Sequence, residues 1–305
     1  MSHNTDTQTE QAVVIATYSR EMNLRLDTGV VVRAKIKGRK LKPVCGDRVQ
    51  AGPLENEPEW LIRAIDPRDN ELTRPNLRGQ IEVLAANIDF LCVVAASKPA
   101  ADWFIVDRYL CAAELMQVDA AVVYNKSDLE HDIEETRAAL ANYSEIGYAT
   151  RTCSAKTDEG MDQLAALLAN KTSIIVGQSG VGKSSLINRL TGDSGQRTAV
   201  VSEGSGEGKH TTVNSVMLEI GGNGQVIDSP GVRDYAPATQ TNVQVISSFR
   251  EISQTGQNCR FANCQHIKEP DCAVKEGVDS GDISRRRYES YRRLIVLSEQ
   301  LARKR

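Results

Sequence analysis

The order of three short motifs along this chain constrains its fold more than any other feature of the sequence. The pattern Gly-x-x-x-x-Gly-Lys-Ser runs from Gly177 to Ser184, and a loop of this type between a strand and a helix holds phosphate oxygens with backbone N–H groups. The tetrad Asn125–Asp128 and the triad Ser154–Lys156 both precede that loop. Chains that combine these motifs usually place the phosphate loop first. Because the motifs are complete but rotated, the sequence predicts a circularly permuted α/β domain.

The residues around the phosphate loop predict a strand, a loop and a helix. The apolar run 173–176 is typical of a buried parallel strand, and Leu186, Ile187 and Leu190 have helical spacing. Lys183 is predicted to reach the β- and γ-phosphates, and Ser184 to place its hydroxyl on Mg²⁺. The predicted phosphate-binding set is Gly177, Gln178, Ser179, Gly180, Val181, Gly182, Lys183, Ser184 and Ser185.

The other two motifs predict recognition of a guanine base. The apolar run 120–124 precedes the tetrad, which therefore lies at the carboxyl end of a strand, where nucleotides bind in open α/β sheets. Asp128 would accept hydrogen bonds from guanine N1–H and the 2-amino group, which adenine does not offer. The triad follows a predicted strand at 146–152, and the Ala155 N–H would meet guanine O6. The predicted base-binding set is Asn125, Lys126, Ser127, Asp128, Ser154, Ala155 and Lys156.

Two downstream segments are predicted to sense the γ-phosphate. The run 225–231 indicates a strand that ends in Asp-x-x-Gly, with Asp228 near Mg²⁺ and the Gly231 N–H near the γ-phosphate. The glycine-rich segment 204–212 is predicted to be a first switch, in which Thr211 or Thr212 completes Mg²⁺ coordination. Taken alone, Asp-Ser-Pro-Gly is more often a simple turn.

The segment between the triad and the phosphate loop supports the permutation. Leucines and a methionine at helical spacing (Met161, Leu164, Leu167, Leu168) predict one helix, and the strand at 173–176 follows it. In the usual order these elements would be the last helix and the first strand. The permuted domain therefore ends just after the Asp-x-x-Gly motif at 228–231, which is the predicted second switch. The residues that follow Gly231 are thus attached directly to a segment that is predicted to sense the γ-phosphate.

Cysteine spacing predicts a metal site in that C-terminal segment. Cys259, Cys264, His266 and Cys272 form a Cys₃His set that suits one tetrahedral structural Zn²⁺, although incidental buried thiols are the alternative because the spacing is not Cys-x₂-Cys. The remaining cysteines lie in apolar stretches and are predicted to be core residues: Cys45, Cys92, Cys111 and Cys153. With no visible secretory signal and no apolar run of membrane length, we expect a cytoplasmic protein without disulfides or a membrane partner.

The length of 305 residues leaves room for several domains. Short alternating strands from Ala12 to Ile65 predict a five-stranded OB-like β-barrel, at 12–17, 22–26, 30–36, 47–51 and 60–65. The fold class is therefore multidomain: an N-terminal OB-like β-barrel, a central circularly permuted α/β P-loop GTPase domain and a C-terminal zinc-binding α-helical domain. The predicted bounds are a disordered 1–10, then 11–72, 73–237 and 238–305.

Charge is localised rather than general. The net charge is −3, yet seven cations and one anion lie between Thr28 and Arg48. Alternation in the third strand places Val30, Val32, Ala34 and Ile36 on one face and Arg33, Lys35 and Lys37 on the other. Basic residues recur at 285–287, 292–293 and 303–305, all arginines except Lys304, around Tyr288 and Tyr291. Together they favour RNA bound through its phosphates, and a solvated amphipathic C-terminal helix is the alternative.

The permuted motif order, the barrel and the Cys259–Cys272 spacing together resemble the ribosome small-subunit-dependent GTPases of the RsgA or YjeQ type, over nearly the whole chain. The resemblance implies a GTPase that binds the immature small ribosomal subunit and its rRNA late in assembly, hydrolyses GTP to GDP with stimulation by the subunit, and binds zinc. We expect a monomer.

The resemblance also implies a catalytic role for His210. Val232 follows Asp-x-x-Gly where many GTPases have a water-orienting glutamine, and an apolar side chain cannot orient water. His210 would replace it, with Lys183 stabilising charge. Two alternatives remain: a GTP-binding RNA-interaction module with little intrinsic hydrolysis, and a metabolic P-loop kinase, which the guanine motif and the Cys₃His set disfavour.

Overall fold

The computed structural model describes residues 9–19, 21–38, 40–55, 57–75, 80–129, 133–192, 214–229 and 241–302. Its strands are β1 (Glu10–Thr17), β2 (Glu21–Leu26), β3 (Val31–Ile36), β4 (Arg48–Pro53), β5 (Trp60–Ile65), β6 (Glu71–Pro75), β7 (Ile81–Ala86), β8 (Phe90–Ala96), β9 (Asp119–Asn125), β10 (Ala149–Thr152), β11 (Thr172–Gly177), β12 (Ser215–Ile220) and β13 (Gly224–Asp228). Its helices are α1 (Trp103–Met116), α2 (Ile133–Glu145), α3 (Met161–Leu168), α4 (Lys183–Thr191), α5 (Asn242–Ser247), α6 (Arg250–Gly256), α7 (Ala273–Ser280) and α8 (Arg285–Ala302).

Eleven of these strands form one sheet, in the order β10-β9-β8-β11-β13-β12-β1-β2-β3-β5-β4. The strands β10, β9, β8, β11 and β13 are parallel, and β12 runs antiparallel to β13. Strand β8 is buried along its whole length, as expected of a central strand covered on both faces. Because β9, β10 and β11 are parallel, the tetrad, the triad and the phosphate loop all leave the sheet at the same edge.

The N-terminal part of the sheet closes into the predicted five-stranded barrel. Strands β1 to β5 form it, and pairing of β1 with β4 completes the closure around an apolar core that includes Val14, Leu24, Val49 and Ile62. Ala34 is buried in this core, but Val30, which the alternation placed on the same face as Ala34, precedes β3 and is 54% exposed. Val30 lies in the turn after Gly29, where alternation no longer dictates the direction of a side chain.

Strand β1 belongs both to the barrel and to the central sheet, a feature that the sequence did not predict. Its last residues pair with the start of β12, with Ala16 opposite Val216 and Thr17 opposite Ser215. The barrel and the nucleotide-binding part therefore share continuous backbone hydrogen bonding.

The helix and the strand that were predicted to link the triad to the phosphate loop are both present. Helix α3 buries Leu164 and Leu168 completely, and β11 begins at Thr172. The strand predicted for 146–152 is shorter, because α2 continues to Glu145 and Gly147 turns the chain with a φ of 90° before β10 begins at Ala149.

Helices α5 to α8 form the C-terminal region around a separate apolar cluster that includes Phe249, Ile252, Val274 and Tyr291. A capping box starts α5, with the Thr241 hydroxyl accepting from the Gln244 backbone N–H. The cysteines predicted to be core residues are all buried, namely Cys45, Cys92, Cys111 and Cys153. Among the described helices, none is long and apolar enough to cross a membrane.

Candidate nucleotide site and metal centre

Asn125 links the three motifs. Its side chain is 1% exposed at the end of β9, where its Nδ2 donates to the Val181 carbonyl at 2.9 Å and its Oδ1 accepts from the Ala155 backbone N–H at 3.2 Å. A Cβ on Gly182 would lie 2.4 Å from that Nδ2, and Gly182 has a φ of 97°. One buried amide therefore holds the base-reading loops and the phosphate loop in register, and the glycine is required for its approach.

The predicted guanine acceptor is also preorganised. The Ser154 hydroxyl donates to Asp128 Oδ1 at 2.6 Å, and Ser154 Oγ itself accepts from the backbone N–H groups of Lys156 and Thr157 at 3.3 and 3.2 Å. This hydroxyl, followed by the backbone N–H of Asp128 and the charge of Lys156, lowers the pKa of Asp128. The carboxylate is therefore kept ionised as an acceptor, which is the state that two guanine donors require.

Lys126 lies between the base motif and the phosphate loop. Its Nζ donates to the Gly180 carbonyl at 2.7 Å and to the Lys98 carbonyl, while its backbone has a φ of 65°. The neighbouring Ser127 N–H donates to the Cys153 carbonyl at 3.1 Å. These contacts place the aliphatic part of Lys126 along the cleft between the two loops.

The phosphate loop has the backbone that such loops need. Gly177 and Gly180 have φ values of 135° and 82°, and a Cβ on Gly177 would lie 2.2 Å from the Val94 carbonyl oxygen. Lys183 begins α4, and its Nζ donates to the carbonyls of Gly177 and Gln178 at 2.7 Å each. Ser184 is half-buried and Ser185 exposed in the first turn of the same helix. A helix start with this loop is suited to hold phosphate groups.

The predicted magnesium ligands are only partly described. Asp228 ends β13, next to β11 and the phosphate loop, and with the Ser184 hydroxyl it offers the hard oxygen donors that Mg²⁺ prefers. The Ser229 hydroxyl, immediately after it, accepts from the Ser215 hydroxyl at 2.9 Å. The remaining predicted switch residues, His210, Thr211, Thr212 and Gly231, lie outside the described residues.

The Cys₃His set converges on one point. The ligand atoms of Cys259, Cys264, His266 and Cys272 all lie within 4.8 Å of one another. His266 Nδ1 is 3.4 Å from Cys259 Sγ and 3.5 Å from Cys272 Sγ, and the two sulfurs are 3.8 Å apart. A tetrahedral zinc ion with ordinary bond lengths needs about 3.6 Å between nitrogen and sulfur and about 3.8 Å between sulfurs. The donor set therefore fits zinc.

The surroundings hold these ligands in place. The Tyr288 hydroxyl donates to the His266 carbonyl and the Tyr291 hydroxyl to the Gln265 carbonyl, each at 2.6 Å. The Glu269 carboxylate accepts three backbone N–H groups of the same loop. Burial lowers the pKa of His266, which favours the neutral imidazole that binds metal. Sequence reasoning missed Glu269, and it named Tyr288 and Tyr291 only as part of the basic C-terminal stretch.

The basic stretch at 285–287 faces inward in part, contrary to the RNA-contact interpretation of the whole C-terminal helix. Arg287 is 1% exposed and donates to Asp107 of α1 at 2.8 Å and to Glu251 of α6 at 2.7 Å, and Arg286 donates to Asp107 at 3.0 Å. Tyr288 is buried as well. These residues join the C-terminal helices to the nucleotide-binding part, a role that a run of arginines cannot reveal by itself.

The sequence also missed Glu159. Its carboxylate accepts from the Ser127 hydroxyl at 3.0 Å and its carbonyl from the Ser154 backbone N–H at 2.8 Å. Glu159 therefore links the tetrad to the triad a second time. No motif contains it, and its position shortly after the triad is the one signal that the sequence offers.

Known proteins are similar to this chain over most of its length. The RsgA GTPase family model matches residues 65–237. Proteins named small ribosomal subunit biogenesis GTPase RsgA are 38% identical in Actinobacillus pleuropneumoniae serotype 5b and 36% identical in Haemophilus influenzae strain PittGG, each over 94% of this chain and 85% of the relative. The crystal structure of YjeQ from Thermotoga maritima is 29% identical with a TM-score of 0.76, covering 95% of this chain and 99% of that one.

The fold of YloQ, a circularly permuted GTPase, also matches, with a TM-score of 0.74 at 24% identity over 98% of both chains. The family model spans more than half of this chain, and it covers the tetrad, the triad, the phosphate loop and Asp228. The protein is accordingly a member of the RsgA GTPase family.

Proposed function

We propose that this protein hydrolyses GTP to GDP and phosphate in the late maturation of the small ribosomal subunit, with the subunit stimulating hydrolysis. The observation that carries the nucleotide part is the buried amide of Asn125, which joins the base-reading loops to the phosphate loop. The relatives named as small-subunit biogenesis GTPases support the subunit as partner. We further propose that the protein acts as a monomer in the cytoplasm, where such subunits mature.

In this proposal the phosphate end of the site works by positioning and charge neutralisation. Lys183 and the backbone donors from Gly177 to Ser185 hold the β- and γ-phosphates, with Ser184, Asp228 and Thr211 or Thr212 as magnesium ligands. Bound magnesium would neutralise phosphate charge. Gly231 donates its N–H to the γ-phosphate, and His210 orients the attacking water. Such preorganised groups stabilise charge that develops in the transition state.

RNA contact is assigned to the barrel, with domain bounds at 11–72, 73–237 and 238–305. Arg33 and Lys35 lie on the outward face of β3, although Lys35 also forms ion pairs with Glu57 and Glu59. Since Glu57 is exposed and Glu59 partly exposed, phosphate groups can replace them at small free-energy cost. The zinc set forms a structural site in the third unit.

Turnover measured with and without purified immature small subunits tests the proposal. We expect slow basal hydrolysis that saturating subunits accelerate, loss of both rates in Lys183→Ala, and loss of mainly the stimulated rate in His210→Ala. Binding of GTP and subunits without acceleration would instead support an RNA-interaction module. Full stimulated turnover by His210→Ala would remove the water-positioning role.

Base selectivity provides an independent test. Asp128→Asn replaces two acceptor oxygens with one acceptor and one donor, so we expect preference to move from GTP toward XTP, whose 2-oxo group accepts a hydrogen bond. The measurement is competition between the two nucleotides for the variant and for the unchanged protein. An unaltered preference would exclude Asp128 from the base site.

A further inference from the structure

A row of residues crosses three strands from the barrel to the magnesium side of the site. Ala16 of β1 is paired with Val216 of β12, and Val216 is paired with Asp228 of β13. Neighbouring strands lie about 4.8 Å apart, so about 10 Å separates the barrel strand from the backbone of Asp228. Ala16 and Val216 are buried in the core cluster on that face of the sheet. The three strands are therefore in close-packed contact along this row.

The next row contains a pair of buried hydroxyls. Thr17 is paired with Ser215, and the Asn214 backbone N–H also donates to the Thr17 carbonyl at 2.9 Å. Ser215 in turn donates to Ser229 at 2.9 Å, with the two residues 5% and 8% exposed. The β12–β13 ladder ends at Val216 and Asp228. The hydrogen bond between the two hydroxyls therefore continues the contact between the β12 and β13 segments by one residue pair beyond the ladder, to Ser229, which directly follows Asp228.

Ser215 and Ser229 occupy informative positions along the chain. Ser215 is the second described residue after the predicted first switch, and Ser229 lies within the Asp-x-x-Gly motif of the predicted second switch. A single hydrogen bond thus joins Ser215, which follows the predicted first switch, to Ser229, which lies in the predicted second switch. Strand β1 holds Ser215 through its pairing with Thr17. An ion pair between Arg25 of β2 and Glu219 of β12, at 3.1 Å, forms a second connection between the barrel and this hairpin.

We propose that the hydroxyls of Ser215 and Ser229 are positioning groups that couple occupancy of the barrel to the placement of Asp228 and hence to GTP hydrolysis. This proposal depends on the proposed function, since it assumes that the barrel binds the small subunit. RNA that stabilises one arrangement of β1 and β12 favours one arrangement of the Asp228 backbone. Coupling between binding sites is reciprocal, so the bound nucleotide must alter subunit affinity by the same factor.

The test compares Ser229→Ala and Ser215→Ala with Ser173→Ala. Ser173 is a matched control because it is a fully buried serine of β11 whose hydroxyl has no hydrogen-bond partner among the described residues. For each variant, subunit affinity is measured with a nonhydrolysable GTP analogue and with GDP, beside basal and stimulated turnover and thermal unfolding. The ratio of the two affinities is the coupling factor, and it does not depend on turnover.

We expect each alanine variant of the pair to lower the coupling factor about fivefold, which corresponds to about 1 kcal/mol and to one hydrogen bond. The double variant should lose no more than either single variant, because the two hydroxyls form one interaction. Ser173→Ala should retain the coupling factor.

Three results would overturn or redirect this inference. An unchanged coupling factor in both single variants, with the unchanged protein still stimulated, would overturn the positioning role while leaving the proposed function intact. Equal losses in Ser173→Ala would assign the effect to general loosening of the sheet. Absence of any stimulation or affinity ratio in the unchanged protein would instead overturn the proposed function.

Discussion

In the central sheet, strand β8 is buried from Phe90 to Ala96 by apolar neighbours, whereas the C-terminal helices have a Cys₃His set and a charged arginine inside their core. The sheet obtains its order from backbone hydrogen bonding and apolar burial over many strands. The C-terminal region has only short helices around one cluster, apart from α8. Small units commonly need a metal or another cross-link because their apolar cores are small.

Arg287 shows that the C-terminal region, unlike the apolar centre of the sheet, contains a buried charge. Burial opposes the charge, yet the carboxylates of Asp107 and Glu251 hold the pKa of the guanidinium well above its usual value. The ionised cluster connects α8 to α1 of the nucleotide-binding part and to α6. A buried ion pair adds little net stability compared with apolar packing, but loss of one partner is strongly destabilising. The attachment of the C-terminal region therefore depends on complete pairing.

Metal removal should produce the largest effect. Since zinc binding to such ligand sets supplies about 10 kcal/mol or more of folding free energy, chelation or Cys264→Ala should abolish cooperative unfolding of the C-terminal helices. The central sheet should remain folded and bind nucleotide. Elemental analysis and circular dichroism provide the measurements. Cys45→Ala, at a buried thiol of the core, is the control, and an unchanged C-terminal fold without metal would contradict a structural zinc site.

Asp107→Ala should come next, with a loss of about 3–5 kcal/mol, because it leaves two arginines of α8 without their shared carboxylate. Glu289→Ala is the matched control, since the exposed Glu289 pairs with exposed Arg292 on the same helix and its loss should change stability by about 1 kcal/mol or less. Denaturant unfolding measures both. Equal effects would show that the buried cluster contributes no more than a surface pair.

Asn125→Ala tests the central sheet, at the loops that carry the nucleotide motifs. Removal of its amide leaves the Val181 carbonyl and the Ala155 N–H without their partner, so we expect destabilisation of about 1–3 kcal/mol and a parallel loss of GTP affinity. Asn142→Ala is the control, because the half-buried Asn142 side chain has an amide oxygen without a hydrogen-bond partner in the described structure. Loss of stability with full GTP affinity would separate Asn125 from the nucleotide site.

Charge reversal on the barrel should have the smallest effect on stability, about 1 kcal/mol or less per residue, because surface ion pairs such as those of Lys35 contribute little. Changing Arg33, Lys35 and Lys37 to Glu should nevertheless weaken small-subunit binding and flatten its salt dependence, because fewer counterions are released. Nucleotide affinity should remain. Arg137→Glu, an exposed reversal on α2, is the control. A loss of GTP binding would show that the barrel and the nucleotide site are not energetically separable.

The sequence predicted the parts of the site that depend on neighbouring residues. The strand before each motif, the barrel strands and the helix at Met161–Leu168 follow from period and motif chemistry within short windows. The Cys₃His set was predicted from side-chain type and spacing, and its ligand atoms do converge. Errors occurred where a pattern ended, as at Val30 and at the start of β10, because turns rather than periodicity decide those residues.

Only the tertiary structure decided which distant groups meet. Nothing local to Arg287 identifies Asp107 as its partner, and nothing local to Thr17 indicates pairing with Ser215 across the sheet. Motif residues and periodic strands can be predicted from a short window of sequence, since their backbone geometry and ligand chemistry depend on neighbouring residues. The partner of a charge, a hydroxyl or an edge strand depends instead on how whole elements pack, and that packing is a property of the folded chain.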